Sequence, residues 1–203
     1  GADSDFRASQ GNFGLVWLQG KGADFAPYAN LTGNAVEAWP EFARMLEDVS
    51  GAGLALDQSG GFEFFTDPAE LADFAAGLER QQTHLGNRFV HEVIDGDDLR
   101  RMHPEVGPDV AGATFSALDG HVNPLRLLRA LRSAVHALGG RILSDAHVSD
   151  ITAATGGGFE VLMQNGAQLG TERVVLCAGL GATALAEKLG FVTRVRPQRG
   201  ELL

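Results

Sequence analysis

Residues 171–190 read TERVVLCAGLGATALAEKLG and combine a strand pattern, a glycine turn and a helix pattern. The apolar, β-branched run 173–179 predicts a strand that is buried on both faces of a sheet. The pattern Gly179-x-Gly181-x-x-Ala184 begins where that run ends. Its spacing is close to that of a dinucleotide-binding loop, in which glycines let the backbone approach a pyrophosphate at a helix N-terminus. The stretch therefore indicates an α/β layer.

The glycine turn leaves open which dinucleotide is bound. In a nicotinamide-binding fold, an acid about 20 residues after the glycines binds the ribose, and Glu201 lies near that spacing. Pro197 opposes this interpretation because it falls where the next central strand should lie. The run 173–179 would also be the first strand of such a fold, yet it lies close to residue 203. A nicotinamide-dependent dehydrogenase that uses these two glycines is therefore an alternative and not the first choice.

The composition is that of a globular chain with an acidic balance. Its 203 residues suffice for one large or two small cores, and the formal net charge is −10. Because the basic residues are dispersed, nucleic acid and anionic membrane surfaces are poor candidates for partners. No apolar run approaches the ~20 residues of a membrane helix. A single cysteine suits a reducing compartment, and we expect a cytoplasmic location. Cys177 is the single cysteine, which excludes an intramolecular disulfide, and we expect it to be a small buried residue.

Two helices are expected in the first half of the chain. Apolar residues recur at helical spacing over 33–49, with a kink expected at Pro40 and an end at Gly51. Asp67 is a good N-cap because a proline follows it directly and a glutamate comes three residues later. The helix that it opens should run to about Thr83.

Two more helices are expected further along. DGDDLRRMHP predicts a short helix that ends before its proline. Asn123-Pro124 opens the clearest helix of the sequence, which a pair of glycines ends at 139–140. Its apolar stripe comprises Leu127, Leu128, Leu131, Ala134, Val135 and Leu138.

Several segments predict strands. GLALDQSGGFEFF predicts two short strands around a turn at 58–61. FVHEVI, AGATFSAL, RIL and HVSDI each predict one strand, and FEVLMQNGAQL predicts a hairpin that turns at Asn165-Gly166. Together with the helices, these segments make the earlier half of the chain α+β and the fold class mixed α/β.

No constellation of catalytic side chains can be assembled from spacing. The six histidines show no metal-ligand spacing, and no metal site is expected. His121, in DGHVNP, lies at a strand-to-helix corner, where a turn and a helix cap already explain the segment. The pattern of residues alone indicates an α/β enzyme or binding domain and leaves the catalytic residues unknown.

Seven segments, in order along the chain, resemble the FAD-dependent oxidoreductases of the D-amino acid oxidase superfamily. That group includes glycine oxidase, sarcosine oxidase and the flavoprotein subunits of hydrogen cyanide synthase and opine dehydrogenases. The segments are ASQGNFGLVW, LDQSGGFEFF, LRRMHPEV, DGHVNPLRLLRAL, GGRILSDAHVSDI, RVVLCAGLGATALAEKLG and RVRPQRGELL. The first is similar to the segment that runs beside the flavin, and the second to a hairpin of the substrate domain. The resemblance covers essentially the whole chain.

The resemblance implies a Rossmann-like FAD-binding domain interleaved with an antiparallel-sheet substrate domain. Residues 1–50 and 121–190 would belong to the FAD-binding domain, and residues 51–120 and 191–203 to the substrate domain. The family's G-x-G-x-x-G loop is expected upstream of this sequence, and its C-terminal segment downstream. We therefore expect an interior part of a longer flavoenzyme, which alone should not hold FAD tightly because that loop supplies the pyrophosphate site.

The resemblance also implies which residues approach FAD and substrate. Ala8 and Ser9 would touch the pyrophosphate or ribitol, and Val148 would contact the adenine through its backbone. At Gly179 the backbone would pass close to the dinucleotide, since a residue without a side chain permits close approach. The implied FAD-binding residues are Ala8, Ser9, Asn12, Phe13, Gly14, Leu15, Val148, Ala178 and Gly179. The implied substrate-pocket residues are Gly61, Phe62 and Phe64.

By the resemblance, the parent enzyme uses FAD to oxidise an amine or amino acid, with hydride transfer from Cα to flavin N5. The other alternative is a non-catalytic binding module derived from such an enzyme. SQGNF and the later GKG are more similar to the hydrogen cyanide synthase and opine dehydrogenase flavoproteins. That similarity implies partner subunits, a membrane-associated electron acceptor and a place near the inner membrane face. The substrate's identity and stereochemistry and the oligomeric state are not indicated.

Overall fold

The computed structural model describes residues 8–198. Within them the chain forms two compact units, the N-terminal unit Ala8–Gly140 and the C-terminal unit that begins at Arg141. The division into FAD-binding and substrate domains expected from the sequence is a functional one and stays a prediction. The helices of the described residues are α1 Ala26–Ser50, α2 Pro68–Leu85, α3 Gly96–Met102, α4 Pro124–Ala137 and α5 Ala182–Lys188.

The strands of the described residues form three antiparallel sheets. They are β1 Leu15–Val16, β2 Gly61–Phe65, β3 Glu92–Asp95, β4 Gly112–Ser116, β5 Gly120–His121, β6 Val148–Ala153, β7 Phe159–Met163 and β8 Gln168–Thr171. β1 pairs with β5, β4 lies between β2 and β3, and β7 lies between β6 and β8. The mixed α/β fold class with antiparallel sheets is confirmed.

The core of the N-terminal unit lies where α1 packs against α2 and α4. The helix α1 begins seven residues before the predicted 33–49, and it ends as predicted, because Gly51 adopts a left-handed φ of 66° as its C-cap. Its proline lies inside the helix at Pro40. The largest fully buried apolar side chains of this unit are Phe89, Leu18, Leu54, Leu78 and Leu99.

The helix starts predicted at Asp67 and Asn123 are confirmed. The Asp67 side chain accepts a hydrogen bond from the Ala69 amide at 2.7 Å, and α2 continues two residues past Thr83. Asn123 accepts from the first amides of α4, and the short helix α3 begins after its own N-cap, Asp95. These caps are predictable because each satisfies the free amides of the first turn with a side chain next to them in sequence.

The apolar stripe of α4 is only partly buried, which corrects the sequence-based expectation. Ala130 and Ala134 are buried, whereas Leu138 is 76% exposed and Leu131 and Val135 are also exposed. The reason is which side of α4 packs against α1. The helix α1 covers the side of α4 that carries the two alanines and leaves the larger residues of the stripe uncovered.

The segment 53–65 contains one strand where two were expected. Only β2 forms, and it begins at Gly61, a residue placed in the turn by the sequence. Upstream of it, Asp57 makes a single bridge with His121 instead of pairing with β2. The physical reason is that β4 and β5, over 50 residues later, offer the better partners. The RIL segment, 141–143, likewise forms no strand.

The C-terminal unit contains the sheet β6-β7-β8 and the helix α5. The predicted hairpin turn is confirmed at Asn165-Gly166, where Gly166 has a φ of 83° and the Gly166 amide donates to the Met163 carbonyl. The side chain of Lys188 links α5 to β6, since its Nζ lies 2.9 Å from the Ser149 carbonyl oxygen.

The run 173–179 is not a buried strand in the part of the chain that the structure describes. Residues 173–178 carry no strand pairing, and the Val175 side chain is 83% exposed. Cys177, expected to be buried, is exposed as well. A strand of a parallel sheet is buried by its neighbours on both sides, and no described strand lies beside this run. Part of RVRPQRGELL is without strand too, and its last five residues, with Glu201, lie outside the described residues.

Candidate functional site

The predicted cofactor segment, residues 8–15, forms a loop that its own Asn12 closes. The Asn12 Nδ2 donates to the Ser9 carbonyl at 2.7 Å, and the Asn12 Oδ1 accepts from the Gly14 amide at 2.7 Å. The Gly11 amide donates to the Ala8 carbonyl at 3.2 Å, which tightens the same turn. The asparagine therefore holds both ends of the loop with one side chain.

Gly14 lies where the loop meets the rest of the N-terminal unit. Its φ is +70°, and a Cβ built on it would overlap the Val122 carbonyl oxygen. The Val122 amide in turn donates to the Gly14 carbonyl at 2.8 Å, just before Leu15 pairs with His121. Both the positive φ and the close backbone contact require glycine at this position.

Two apolar side chains of the segment face away from the core. Phe13 is 61% exposed and Leu15 is 57% exposed, although the next strand residue, Val16, is buried. They flank Gly14 and follow the polar residues Ser9 and Asn12 closely. The loop thus presents polar groups and an apolar surface side by side.

The predicted substrate residues all belong to β2, in the same unit. Gly61 is buried against the ring of Trp17, with no room for a side chain. Phe62 packs in a small core, with its ring centroid 4.7 Å from that of Phe115 and 5.3 Å from that of His103. Phe64 is 51% exposed and is the most open of the three predicted residues.

A buried polar cluster joins residues 18–19, just after the cofactor segment, to β2, and the sequence did not reveal it. The Asp119 carboxylate accepts from the Leu18 amide at 2.6 Å and from the Gln19 Nε2 at 2.8 Å. The Gln19 Nε2 also donates to the Gly61 carbonyl at 3.0 Å, and its Oε1 accepts from the Thr114 hydroxyl at 2.6 Å. Burial raises the pKa of the Asp119 carboxyl, while the hydrogen bonds from Leu18 and Gln19 oppose that rise.

Gln81, on α2, fixes the same stretch of backbone from another side. Its Nε2 donates to the carbonyls of Leu18 at 2.7 Å and Lys21 at 3.0 Å, and its Oε1 accepts from the Gly20 amide. Gln81 is fully buried, as is Asp119. The signal in the sequence is a polar residue at a core position of a predicted helix, since such a residue needs buried partners.

The remaining predicted cofactor residues lie in the C-terminal unit. Val148 is half-buried at the start of β6, opposite Met163 and next to a bulge. Ala178 and Gly179 are exposed at the start of a single 3-10 turn. Gly179 has a φ of +55°, and nothing lies within 4 Å of the position of a Cβ. The roles of all the predicted site residues stay predictions.

The described residues contain neither a cluster of metal-ligating side chains nor a membrane-spanning helix. Across 8–198 no group of three or more histidine, cysteine, aspartate or glutamate side chains could hold a metal ion. None of the helices in that range is long and apolar enough to cross a membrane.

Comparisons with known proteins agree on one family. A family model described as "DAO: FAD dependent oxidoreductase" matches residues 2–203. The B subunit of opine oxidase from Rhizobium meliloti is 34% identical over all of this chain, which covers 54% of that protein. Glycine oxidase of Bacillus licheniformis is 27% identical over 82% of this chain and 42% of that protein. The chain spans about half the length of the curated relatives it matches.

The fold is also shared with a solved structure. Glycine oxidase from Geobacillus kaustophilus matches with a TM-score of 0.76 over 90% of this chain and 48% of that one, at 23% identity. The description of the matching family model favours FAD over the nicotinamide alternative that the turn at Gly179 left open. The resemblance expected from the seven sequence segments is confirmed: the chain belongs to the DAO family of FAD-dependent oxidoreductases.

Proposed function

We propose that the protein containing this chain is an FAD-dependent oxidase or dehydrogenase that acts on an amine or amino acid. The observation that carries the proposal is the 34% identity to one subunit of an opine oxidase along the full length of this chain. The 27% identity to a glycine oxidase supports the same reaction class. Both relatives extend beyond the matched region, and the proposal therefore concerns the whole protein.

The residues present have the apolar and polar character that FAD binding requires. A flavin needs an apolar surface for its ring and polar groups for its ribityl chain, and the loop 8–15 offers exposed Phe13 and Leu15 beside Ser9. A dinucleotide also needs backbone that it can approach closely. Gly179 has open space where a side chain would stand. We assign Ala8, Ser9 and 12–15 to one part of the cofactor and Val148, Ala178 and Gly179 to another.

When bound, FAD supplies the acceptor, at flavin N5, for the hydride that leaves the substrate Cα. The substrate nitrogen loses a proton, and the resulting imine takes up water to give a carbonyl compound and a free amine. The chain's own contribution is to position the reactants and exclude water. Phe13 and Leu15 would shield the reacting carbon, and Asn12 keeps the loop in shape through its two bonds. Phe64, the open member of β2, would line the substrate side.

The two electrons must then pass to a further acceptor, which is oxygen or a second redox partner. We propose that the partner is a further subunit that passes electrons to a membrane-associated acceptor. This proposal is supported by the name of the Rhizobium meliloti relative, which is the B subunit of an opine oxidase. It implies a cytoplasmic protein near the inner membrane face.

The test uses the whole protein encoded by the native reading frame. Its bound cofactor is identified after denaturation, and the protein is then mixed without oxygen with glycine, N-substituted glycines and opines. We expect released FAD and loss of the flavin's visible absorbance with at least one of these amines. Reduction of the bound FAD by none of them would favour the non-catalytic binding module, and a protein that holds NAD(P) would overturn the FAD assignment.

Two matched variants test the assignment at the glycine turn. Gly179→Val places a side chain in the open space and strains a φ of +55°, whereas Gly181→Val meets only the Ala178 Cβ at 3.8 Å. We expect the first to lower FAD content at least about tenfold and the second to leave it near wild type. Equal FAD content in both variants would remove this turn from the cofactor site.

A further inference from the structure

The polar cluster of Asp119, Gln19 and Thr114 connects the backbone that follows the predicted cofactor segment to the predicted substrate strand through buried hydrogen bonds. Leu18 and Gln19 lie two and three residues after β1, whose Leu15 belongs to the cofactor segment. Gly61, which accepts from the Gln19 side chain, is the first residue of β2. A change in the cluster would therefore alter the position of both the cofactor segment and β2.

The cluster leaves the Gln19 amide a single orientation. Its nitrogen donates to two acceptors, Asp119 Oδ2 and the Gly61 carbonyl, and its oxygen accepts from the Thr114 hydroxyl. Rotating the amide by half a turn would bring its oxygen against both acceptors. Asp119, Gln19 and Thr114 are each at most 2% exposed, so water cannot replace a lost partner.

Asp119 also continues the short β1-β5 ribbon. Its carboxylate accepts the Leu18 amide beyond the last pair of that ribbon, Val16 with Gly120. Its own carbonyl accepts from the Gly60 amide at 3.0 Å, next to β2. Asp119 thus binds backbone just after β1 with its carboxylate and backbone just before β2 with its carbonyl.

We propose that Asp119 is a positioning residue that, through Leu18 and Gln19, sets the spacing between the cofactor segment 12–15 and the substrate strand β2. The proposal rests on the proposed function, since it concerns how the reacting groups are held. It assigns Asp119 no contact with cofactor or substrate. Small misplacements of reacting groups slow catalysis strongly, and a link of this kind acts on turnover more than on binding.

Two variants weaken the link to different degrees. In Asp119→Asn, the new amide still accepts from Leu18, but its NH2 group faces the Gln19 NH2 group. Gln19 must turn over to relieve this, and the Gly61 carbonyl then loses its donor. Thr114→Val is nearly the same size and removes only the hydroxyl that orients Gln19. Leu46→Ala is the control, because it truncates a buried residue of α1 that takes no part in the cluster.

The experiment measures amide hydrogen exchange and turnover on the whole protein with its cofactor bound. We expect Asp119→Asn to speed exchange at residues 15–19 and 60–62 and to lower kcat, each about tenfold, with smaller changes of the same kind in Thr114→Val. We expect Leu46→Ala to lower the thermal midpoint while keeping kcat near wild type at a temperature where it is folded.

Wild-type exchange and kcat in both cluster variants would overturn the positioning role while the proposed function stands. A loss of kcat in Leu46→Ala as large as that in Asp119→Asn would also overturn it, because general destabilisation would then explain the loss. A wild-type protein that no amine reduces would overturn the proposed function itself, and the positioning role with it.

Discussion

The side-chain nitrogen of Gln58 donates a hydrogen bond to the main-chain carbonyl of Val36, at 3.1 Å, in the middle of α1. Val36 is four residues before Pro40, so the residue that would donate the regular helical hydrogen bond to this carbonyl has no N–H. The same nitrogen donates to the Leu118 carbonyl at 2.9 Å, and the Gln58 Oε1 is buried without a partner among the described residues. A glutamine from outside the helix thus repairs the bond that the proline removes.

Gln58→Leu should leave the Val36 carbonyl without a donor and lower the free energy of unfolding by about 1–3 kcal/mol. Pro40→Ala restores the missing helix N–H. Its effect on the free energy of unfolding should therefore be about 1 kcal/mol more stabilising in the Gln58→Leu background than in the wild type. Urea unfolding of the four proteins measures this coupling. Additive effects of the two substitutions would show that Gln58 and Pro40 act independently.

Gly14→Ala should destabilise the N-terminal unit more than Gly51→Ala. Both glycines have a positive φ, which alone costs alanine about 1–2 kcal/mol. Only at Gly14 does the added Cβ also meet backbone, the Val122 carbonyl oxygen, while nothing lies within 4 Å at Gly51. We expect a larger loss at Gly14 by at least about 1 kcal/mol, measured by chemical unfolding. Equal losses would mean that the loop moves aside without cost.

Asn123→Ala should lower stability by about 1 kcal/mol, since the Asn123 Oδ1 accepts from the amides of Leu125 and Arg126 at 3.1 and 3.0 Å. Asn123→Asp keeps the acceptor and adds a negative charge at the helix N-terminus, and should therefore be neutral or stabilising. The measurement is the denaturation midpoint of each variant. The cap would have no role if alanine and aspartate behaved alike.

His91 should make stability depend on pH below neutrality. Burial lowers the pKa of its imidazole from 6.5, with Glu79 acting weakly in the other direction, and its ring stacks on Phe89 at 5.6 Å. A lowered folded-state pKa means that the unfolded chain binds the proton more readily, so stability falls as pH drops below about 6.5 towards the folded-state pKa. We expect His91→Phe to remove this part of the pH dependence in unfolding curves at pH 5 and pH 7.5. An unchanged slope would place the titration elsewhere.

The features that could be predicted from the sequence are those whose partners are close in the chain. The caps at Asp67 and Asn123 and the turn at Asn165-Gly166 each depend on bonds within four residues, and all three are confirmed. The resemblance located the family because its seven segments occur in the family's order. Local chemistry and order along the chain are both readable without coordinates.

Long-range pairing could not be predicted in the same way. In the sequence, Asp119 resembles an ordinary turn residue next to a glycine. Nothing near it indicates its role, because its partners Leu18 and Gln19 lie about one hundred residues earlier. The exposed half of the α4 stripe is unpredictable for a related reason, since periodicity gives the apolar face of a helix but not the neighbour that covers it. The expectation for the run 173–179 is wrong because burial of a strand depends on strands beside it.

The bond between Leu18 and Asp119 also has a consequence during protein synthesis. It spans 101 residues, and the bond from Gln81 to Leu18 spans 63. At about 5–20 residues per second, roughly 5–20 s pass after Leu18 is made before its carboxylate partner exists. Throughout that interval the growing chain carries Phe13, Leu15, Val16 and Leu18 as an apolar stretch without its native pairing. We expect chaperones to bind the nascent chain at this stretch. Slower translation of the residues before Asp119 would lengthen its exposure and increase aggregation.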